Sequence, residues 1–280
     1  MINMKIKLRP LLAKVLIYIL LIGISLIMLI PFAWMLTSSF KMNKDVFTYP
    51  VVWWPKEFIT SNYVRIWEEI PLLRYFFNTS KLTVLITILQ LLTSTFAAYA
   101  FAKMKFPGKD FLFLSYICTI AMPRQSYMIP QFIIIKKMGL VNTHLALIIL
   151  QSFTAFGVFL VRQFYMEIPN EICEAARIDG MSEYGIYAKI MLPLSKPVIA
   201  TLTIFSFTTI WNDFMGPLIY INSQNLKTIQ LGLRSFITEY SSEYSLIMAG
   251  SVVALIPVLI VFACLQKYFV EGIASTGLKG

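Results

Sequence analysis

Long apolar runs constrain the fold of this chain more than any other sequence feature. Residues 15–40 contain no charged side chain, and residues 82–102 form a second uncharged run. A helix rises about 1.5 Å per residue, so roughly twenty apolar residues cross a hydrocarbon core about 30 Å thick. Similar runs recur along the chain, which is 58% hydrophobic and only 14% charged. The sequence therefore predicts an all-α integral membrane protein.

The positions of these runs predict six transmembrane helices. A cytoplasmic segment, 1–14, precedes a single transmembrane domain over 15–280. The first run is longer than the apolar core of a signal peptide, so we expect a retained helix. The predicted spans cover about 15–37, 80–102, 111–133, 141–162, 198–220 and 245–267.

The distribution of basic residues predicts the orientation of the spans. The first fourteen residues carry four basic side chains and no acidic one, and three lysines lie in the turn 103–109. The positive-inside rule places both segments, and hence both termini, in the cytoplasm. The net charge of +10 comes from residues scattered among apolar spans. This pattern favours contact with anionic membrane lipid and argues against a nucleic-acid partner.

One polar interruption, 167–197, lies between the predicted fourth and fifth spans. It is longer than a simple connection requires, so we expect it to have structure of its own. Asn170 is suited to cap a short helix that stops at Gly180. Ser182 could cap a second one that ends near Pro193. The two would form a compact cytoplasmic elbow, although composition alone equally allows an ordinary solvated amphipathic loop.

A few polar side chains interrupt the predicted spans. Asp213 near a membrane centre would cost roughly 2.5–3.5 kcal/mol, so it should face protein, water or the interface. Arg124 would also need a partner, but nothing in the sequence pairs the two. The candidate residues of a polar translocation pathway are Arg124, Gln125, Gln151, Asn212 and Asp213. The alternative to a pathway role is that Asp213 lies at the outer end of the fifth helix and serves only packing or gating.

No catalytic or metal-binding motif accompanies these features. The chain has no GxxxxGK[ST] phosphate loop, no HExxH and no GxSxG, and its three cysteines lack metal-ligand spacing. We therefore predict neither a catalytic residue nor a metal site. If ATP drives this protein, a separate subunit must hydrolyse it.

A second pattern within the polar interruption consists of Glu174, Ala175, Ala176, Gly180, Ile190, Leu192 and Pro193. The residue types and spacing of this pattern resemble the EAA signature of ABC importer permeases. Other segments resemble the carbohydrate branch of the binding-protein-dependent permeases, especially the smaller, six-helix, maltose-type subunit. These segments are NYVRIWEEIPLLRYFFNTS, IPQFIIIKKMGLVNTHLALI, WNDFMGPLIYI and the terminal GLKG.

The resemblance implies roles for the signature residues. Glu174, Ala175, Ala176 and Gly180 would form a coupling helix and its turn, docked in a cleft of an ATPase subunit. The later group, Ile190, Leu192 and Pro193, would seat the second short helix against the membrane domain. The tail from Gly277 to Gly280 resembles the family tail that approaches the ATPase interface.

The resemblance also implies the function and the partners. The chain would be a permease subunit of an ATP-driven importer of a sugar or oligosaccharide in a bacterial cytoplasmic membrane. Its partners would be a pair of ATP-binding subunits, which hold ATP and Mg²⁺, a second permease and an extracytoplasmic solute-binding protein. This chain itself would bind no cofactor. The alternatives are an ion-gradient-driven secondary transporter and a permease for another small polar solute such as glycerol phosphate.

Overall fold

The computed structural model describes residues 2–237 and 242–277, with side chains over 13–237 and 242–268. These residues are almost entirely helical, and within them the only β-type pairing is an isolated bridge between Ile237 and Ser242. The α-helices of the described chain are α1 (Ile2–Ser38), α2 (Asn62–Glu68), α3 (Leu72–Lys103), α4 (Lys109–Cys118), α5 (Arg124–Lys137), α6 (His144–Gln151), α7 (Ala155–Glu167), α8 (Asn170–Ile178), α9 (Glu183–Ile186), α10 (Leu192–Leu194), α11 (Lys196–Trp211), α12 (Met215–Tyr220), α13 (Ile229–Leu233) and α14 (Tyr244–Gly277).

Four helical segments of the described chain are long and apolar enough to cross a membrane. They are Ala13–Ser38, Leu72–Lys103, His144–Glu167 and Tyr244–Tyr268. A fifth candidate is the pair Glu183–Leu194 and Lys196–Trp211, which is bent by 78°. The all-helical membrane fold is thus confirmed, whereas the count of six spans stays a prediction.

The predicted third span, 111–133, is divided into two helices. α4 continues into a 3₁₀ turn, Thr119–Ala121, and α5 begins only after Pro123. Proline disfavours a helical conformation in the residue before it, and Met122 is extended. Neither half of this region is long enough by itself to cross a bilayer.

The predicted fifth span, 198–220, is also interrupted. α11 ends at Trp211, and α12 starts four residues later. Asn212 and Asp213 therefore lie in the connection between two helices, where the sequence predicted that they lie within one. The interruption leaves backbone groups available to hydrogen-bond with side chains.

One compact unit consists of Met1–Ile70 and Leu233–Ala254. The segment after α1 is fixed there by a buried amide, since Asn62 Nδ2 donates to the carbonyls of Ser39 and Lys41, both at 2.9 Å. Lys41 in turn donates to Val52 O at 2.6 Å and lies 3.9 Å from the centre of the Trp34 ring. Asn62 is also the first residue of the short helix α2.

The second compact unit consists of Pro71–Gly232 and Leu255–Gly280. α3 is its central helix and packs against α7 and α11. Gly157 allows α7 to approach closely, because a Cβ there would collide with Ser94 of α3. One cluster of its core includes Tyr99, Ala176 and Met191, all less than a tenth exposed. This cluster joins the predicted elbow to α3.

Candidate functional site

The first arm of the elbow is α8, an amphipathic helix. It begins at Asn170, one residue after Pro169, so the predicted cap is the first helical residue. Its inner face buries Cys173 and Ala176 in the core around Tyr99. Burial raises the pKa of the Cys173 thiol, as expected for a thiol that only packs.

The elbow turns at Gly180, as the sequence predicts. Gly180 has a φ of +80°, its N–H donates to Arg177 O, and the next N–H, of Met181, donates to Ala176 O. These two bonds form a Schellman motif, which ends helices and favours glycine at the left-handed position. Met181 also packs beside Ala176. The sharp turn is therefore specified locally.

The second arm starts at α9. The Ser182 hydroxyl accepts a hydrogen bond from Gly185 N, which confirms the predicted cap. A π-helical stretch, Tyr187–Met191, leads into α10, which ends before Ser195. Ile190 packs against the core around Tyr99, whereas Pro193 is exposed. Of the residues predicted to seat this arm, Ile190 thus makes the contact with the core.

A charge pair joins the two arms. Arg177 Nε of α8 donates to Glu183 Oε1 of α9 at 2.7 Å, and Arg177 Nη2 reaches Glu183 Oε2 at 3.3 Å. Tyr99 of α3 donates its hydroxyl hydrogen to Glu183 Oε2 at 2.5 Å. Hydrogen bonding to Glu183 holds the pKa of Arg177 above its ordinary value. One carboxylate therefore connects both arms of the elbow to the central helix.

Lys103, the last residue of α3, fixes the base of the elbow. Its Nζ donates to Ile168 O at 2.5 Å and to Asn170 Oδ1 at 2.8 Å. Ile168 caps the C-terminus of α7, where a cation is favoured by the helix dipole. The junction of α7 with α8 is therefore attached to α3.

The outer face of the elbow remains open in the described chain. Glu174 and Ala175 are exposed, and Ile178 is 86% exposed despite being apolar. Tyr184 of α9 is 72% exposed. A cleft of about 490 Å³ lies beside this face, and it is lined by Glu174 together with basic side chains of Lys103, Lys105, Lys109 and Arg177. Of the two signature alanines, Ala175 alone faces outward, because Ala176 belongs to the core.

A second polar cluster lies within the helical bundle, away from the elbow in sequence. Arg124 Nη1 is 3.2 Å from Asp213 Oδ1, and Gln151 Nε2 donates to Asp213 Oδ2 at 2.8 Å. The Asp213 side chain is 10% exposed and that of Arg124 is 43% exposed. The structure thus supplies the partner of Asp213 that the sequence left open.

Each member of this cluster sits at an interruption of a helix. Arg124 begins α5, Gln151 ends α6, and Asp213 lies between α11 and α12. The carboxylate also caps the next helix, because Gly216 N donates to Asp213 Oδ1 at 3.2 Å. A side chain of α3 also contacts the cluster, because Gln90 Nε2 donates to Gln151 O at 2.6 Å. Three helix interruptions therefore meet around one carboxylate.

Gly216 leaves room for this arrangement. A Cβ at this position would collide with Asp213 Oδ2 and would lie 3.1 Å from Arg124 Nη2 and 3.2 Å from Gln151 Nε2. The sequence analysis did not single out this glycine. The signal available was its position three residues after an aspartate in a predicted span.

The other two predicted pathway residues lie next to the cluster. Asn212 is exposed and accepts a hydrogen bond from Gln230 Nε2 at 3.1 Å. Gln125 is exposed and follows Arg124 on α5. Of the predicted tail 277–280, the last three residues lie outside the described part of the chain.

Several helices of membrane length define the class of a polytopic membrane protein. The family described as "Binding-protein-dependent transport system inner membrane component" matches residues 11–275. The chain belongs to this family. It is therefore a multi-pass cell membrane protein and a permease component of an ABC importer.

Individual relatives agree with this assignment. The chain is 34% identical over 260 residues to the arabinooligosaccharides transport system permease protein AraQ of Halalkalibacterium halodurans, covering 92% of this chain and 93% of AraQ. It is 32% identical to the melibiose/raffinose/stachyose import permease protein MelC of Bacillus subtilis, with coverages of 90% and 91%. A solved bacterial ABC transporter involved in alginate import has a chain with a TM-score of 0.78 and 25% identity, with coverages of 91% and 95%.

Proposed function

We propose that this chain is one of two permease subunits of an ATP-driven importer of a sugar or oligosaccharide, and that residues 167–197 couple it to the ATPase. The relatives named for arabinooligosaccharides and for melibiose, raffinose and stachyose support a saccharide as the cargo. A partner ATPase pair binds ATP and Mg²⁺, since the chain has no phosphate loop of its own.

One observation carries the coupling proposal: the elbow has an open outer face and a fixed inner face. Outside, Glu174, Ala175 and Ile178 are available to a partner. Inside, Glu183 and Lys103 attach the two arms to α3. An element that passes on a movement needs both properties, because a loose loop would absorb the displacement.

The outer face has the chemistry of a protein interface. Ile178 and Tyr184 provide exposed apolar surface, which costs free energy in water and is recovered when a partner covers it. The side chain of Ala175 is small, so a partner can approach the backbone of α8 closely at the centre of this face. Glu174 supplies a charge beside the basic cleft, which favours one register of docking.

The remaining partners and the orientation follow from the same assignment. A second permease completes the pathway, and an extracytoplasmic binding protein delivers the solute. The basic N-terminus and the lysines of the turn 103–109 favour a cytoplasmic location of both termini and of the elbow. We place the complex in a bacterial cytoplasmic membrane.

The first test compares Glu174→Lys with Glu68→Lys in the co-expressed complex. Both residues are exposed and both changes alter the charge by two, but Glu68 belongs to α2 and lies outside the elbow. We expect Glu174→Lys to reduce recovery of the ATPase with the tagged permease at least about fivefold, as loss of a 1–3 kcal/mol contact predicts. Glu68→Lys should retain it. Equal recovery with both variants would contradict the docking assignment.

The second test identifies the cargo and separates ATP-driven import from its alternative. Proteoliposomes that contain the whole complex are supplied with the binding protein and a panel of neutral oligosaccharides, an acidic disaccharide and glycerol 3-phosphate. Uptake should require internal ATP and should be seen with a neutral saccharide. Uptake by this chain alone, driven by an imposed ion gradient, would establish the secondary transporter.

A further inference from the structure

The polar cluster of Arg124, Gln151 and Asp213 lies away from both ends of the membrane-length segment His144–Glu167. α6 has eight residues from His144 to Gln151, so the cluster is about 12 Å from the start of that membrane-length segment. α11 has sixteen residues up to Trp211, so the cluster is about 24 Å from the elbow end of that helix. Both distances place it in the half of the bundle remote from the elbow.

Interrupted helices at this depth need a specific environment. Backbone outside a helix is tolerated within a bilayer only where it is enclosed by protein or lines a water-filled cavity. Side chains satisfy part of the freed backbone here, since Asp213 bonds to Gly216 N and Gln90 to Gln151 O. The edge of the cluster, however, is open: Asn212 is exposed, and so is nearly half of the Arg124 side chain. This edge fits a wet surface better than a lipid-facing one.

The cluster is electrically balanced. The two charged side chains are opposite in sign and 3.2 Å apart, and Asp213 is the more buried of the two. Both of its oxygens already accept hydrogen bonds, from Gln151 and Gly216 among others. The groups at the open edge are the Arg124 guanidinium, which donates, and the Gln125 amide, which can both donate and accept. The Asn212 amide is exposed too, and it already donates to Thr208 O and accepts from Gln230 Nε2.

We propose that the open edge formed by Arg124, Gln125 and Asn212 is a contact site for the passing solute, and that Asp213 adapts it to an uncharged, hydroxyl-rich molecule. This inference rests on the proposed import function and makes its cargo class more specific. Gln151 and Gly216 act through Asp213 as positioning residues, because they hold the carboxylate beside Arg124.

The charge balance is what selects the class of solute. A phosphate or carboxylate would gain from Arg124 but would be repelled by Asp213 a few ångströms behind it, in surroundings that screen poorly. A sugar hydroxyl carries no net charge, so it can accept from the guanidinium or exchange hydrogen bonds with the amides without that penalty. Intramembrane ionisable residues commonly mark such pathways.

The experiment measures thiol labelling at Asn212→Cys in the assembled complex in nanodiscs. The exposed Cys118 and Cys264 are replaced by Ser, whereas the buried Cys173 remains, and its background is measured in the chain without the added cysteine. The probes are an anionic and a cationic methanethiosulfonate of similar size. Their rates are normalised to those with a free thiol and are recorded without nucleotide and in the vanadate-trapped state.

Labelling should occur in at least one of the two states, with normalised rates for the two reagents within about threefold of each other. Adding Asp213→Asn should leave the positive charge of Arg124 uncompensated. The ratio of the anionic to the cationic labelling rate should then rise about tenfold or more. Ile27→Cys, in the charge-free first helix, is the lipid-exposed control and should react with neither reagent. The saccharide identified by the uptake panel should slow labelling of Asn212→Cys.

Three results would overturn the proposal. The first is an absence of labelling in both states, which would show that the edge is dry. The second is a charge ratio that Asp213→Asn leaves unchanged. The third is efficient uptake of the acidic disaccharide or glycerol 3-phosphate by the unmodified complex. Labelling does not require ATP-driven transport, so failure of the coupling proposal would be seen separately, as loss of ATP dependence in the uptake assay.

Discussion

The elbow and the membrane cluster each contain one arginine paired with one carboxylate, yet the two pairs differ in surroundings. Arg177 and Glu183 are both about a third exposed and are joined by two hydrogen bonds, the shorter at 2.7 Å. Arg124 and Asp213 are 3.2 Å apart, with the arginine 43% exposed and the aspartate only 10%. In the first pair both side chains are exposed to a similar degree, whereas in the second pair the arginine is exposed and the aspartate is largely buried.

This difference decides what each pair can do. Exposed ion pairs contribute little to stability, typically about 0.2–1 kcal/mol, so the Arg177–Glu183 pair mainly fixes the angle between two arms. Removing one partner of a buried pair leaves a charge that the surroundings cannot solvate, which costs about 3–5 kcal/mol when burial is complete. The Arg124–Asp213 pair lies between these limits. We therefore expect a change in the charge balance of this pair to affect both folding and the proposed solute contact.

The largest expected effect comes from disturbing the membrane pair through its glycine. Gly216→Ala places a methyl group among three polar side chains, and overpacking of this kind costs about 1–3 kcal/mol. We expect the apparent melting temperature of the purified complex to fall by several degrees and uptake to fall with it. Gly185→Ala is the matched control, since its Cβ would meet Ser182 Oγ at an ordinary 3.5 Å. Equal stability of the two variants would mean that the cluster tolerates displacement.

An intermediate effect is expected from the turn that sets the geometry of the elbow pair. A side chain at Gly180 meets open space, so the cost of Gly180→Val is confined to its left-handed backbone and amounts to about 1–2 kcal/mol. Membrane insertion should be normal, while the solute moved per ATP hydrolysed should fall. Gly180→Asn should retain coupling, because asparagine tolerates this conformation. Normal stoichiometry in the valine variant would contradict the proposed role of the turn.

The smallest effect on stability is expected from the elbow pair itself. Glu183→Gln removes the charge and keeps the shape of the side chain, so the loss should be about 0.2–1 kcal/mol. We expect a melting temperature close to that of the unmodified complex but weaker coupling, because the amide holds Arg177 less firmly. Glu68→Gln, at an exposed position of α2 outside the elbow, provides the control. A large loss of stability would show that this pair is as sensitive to charge as the membrane pair.

Local signals account for what could be predicted of the elbow from the sequence. A glycine after an amphipathic helix and a serine before the next one specify the turn within a few residues, and Gly180 and Ser182 take the predicted roles. The helical membrane fold was equally accessible, because charge-free runs of membrane length allow few alternatives.

Non-local contacts account for what was missed. Tyr99 and Glu183 are 84 residues apart, and Arg124 and Asp213 are 89 apart, so no short pattern pairs them. The small side chain of Ala176 is compatible with a docking surface, but residue size alone does not indicate that this alanine faces the core. Pro123 marks the interruption of the predicted third span, but the apolar residues before and after it allowed one span to be drawn through it. The break after Trp211 falls at Asn212 and Asp213, which the sequence prediction kept within one helix.

The attachment of the elbow to one end of α3 has a geometric consequence. Tyr99 and Lys103 hold the elbow by the last turns of a helix whose 32 residues extend over about 48 Å. If α3 moves as a rigid rod about that end, a tilt of about 10° displaces its far end by about 8 Å. The helix would then act as a mechanical amplifier, in which a small rotation at the elbow opens a gap wider than a water molecule on the opposite side of the membrane.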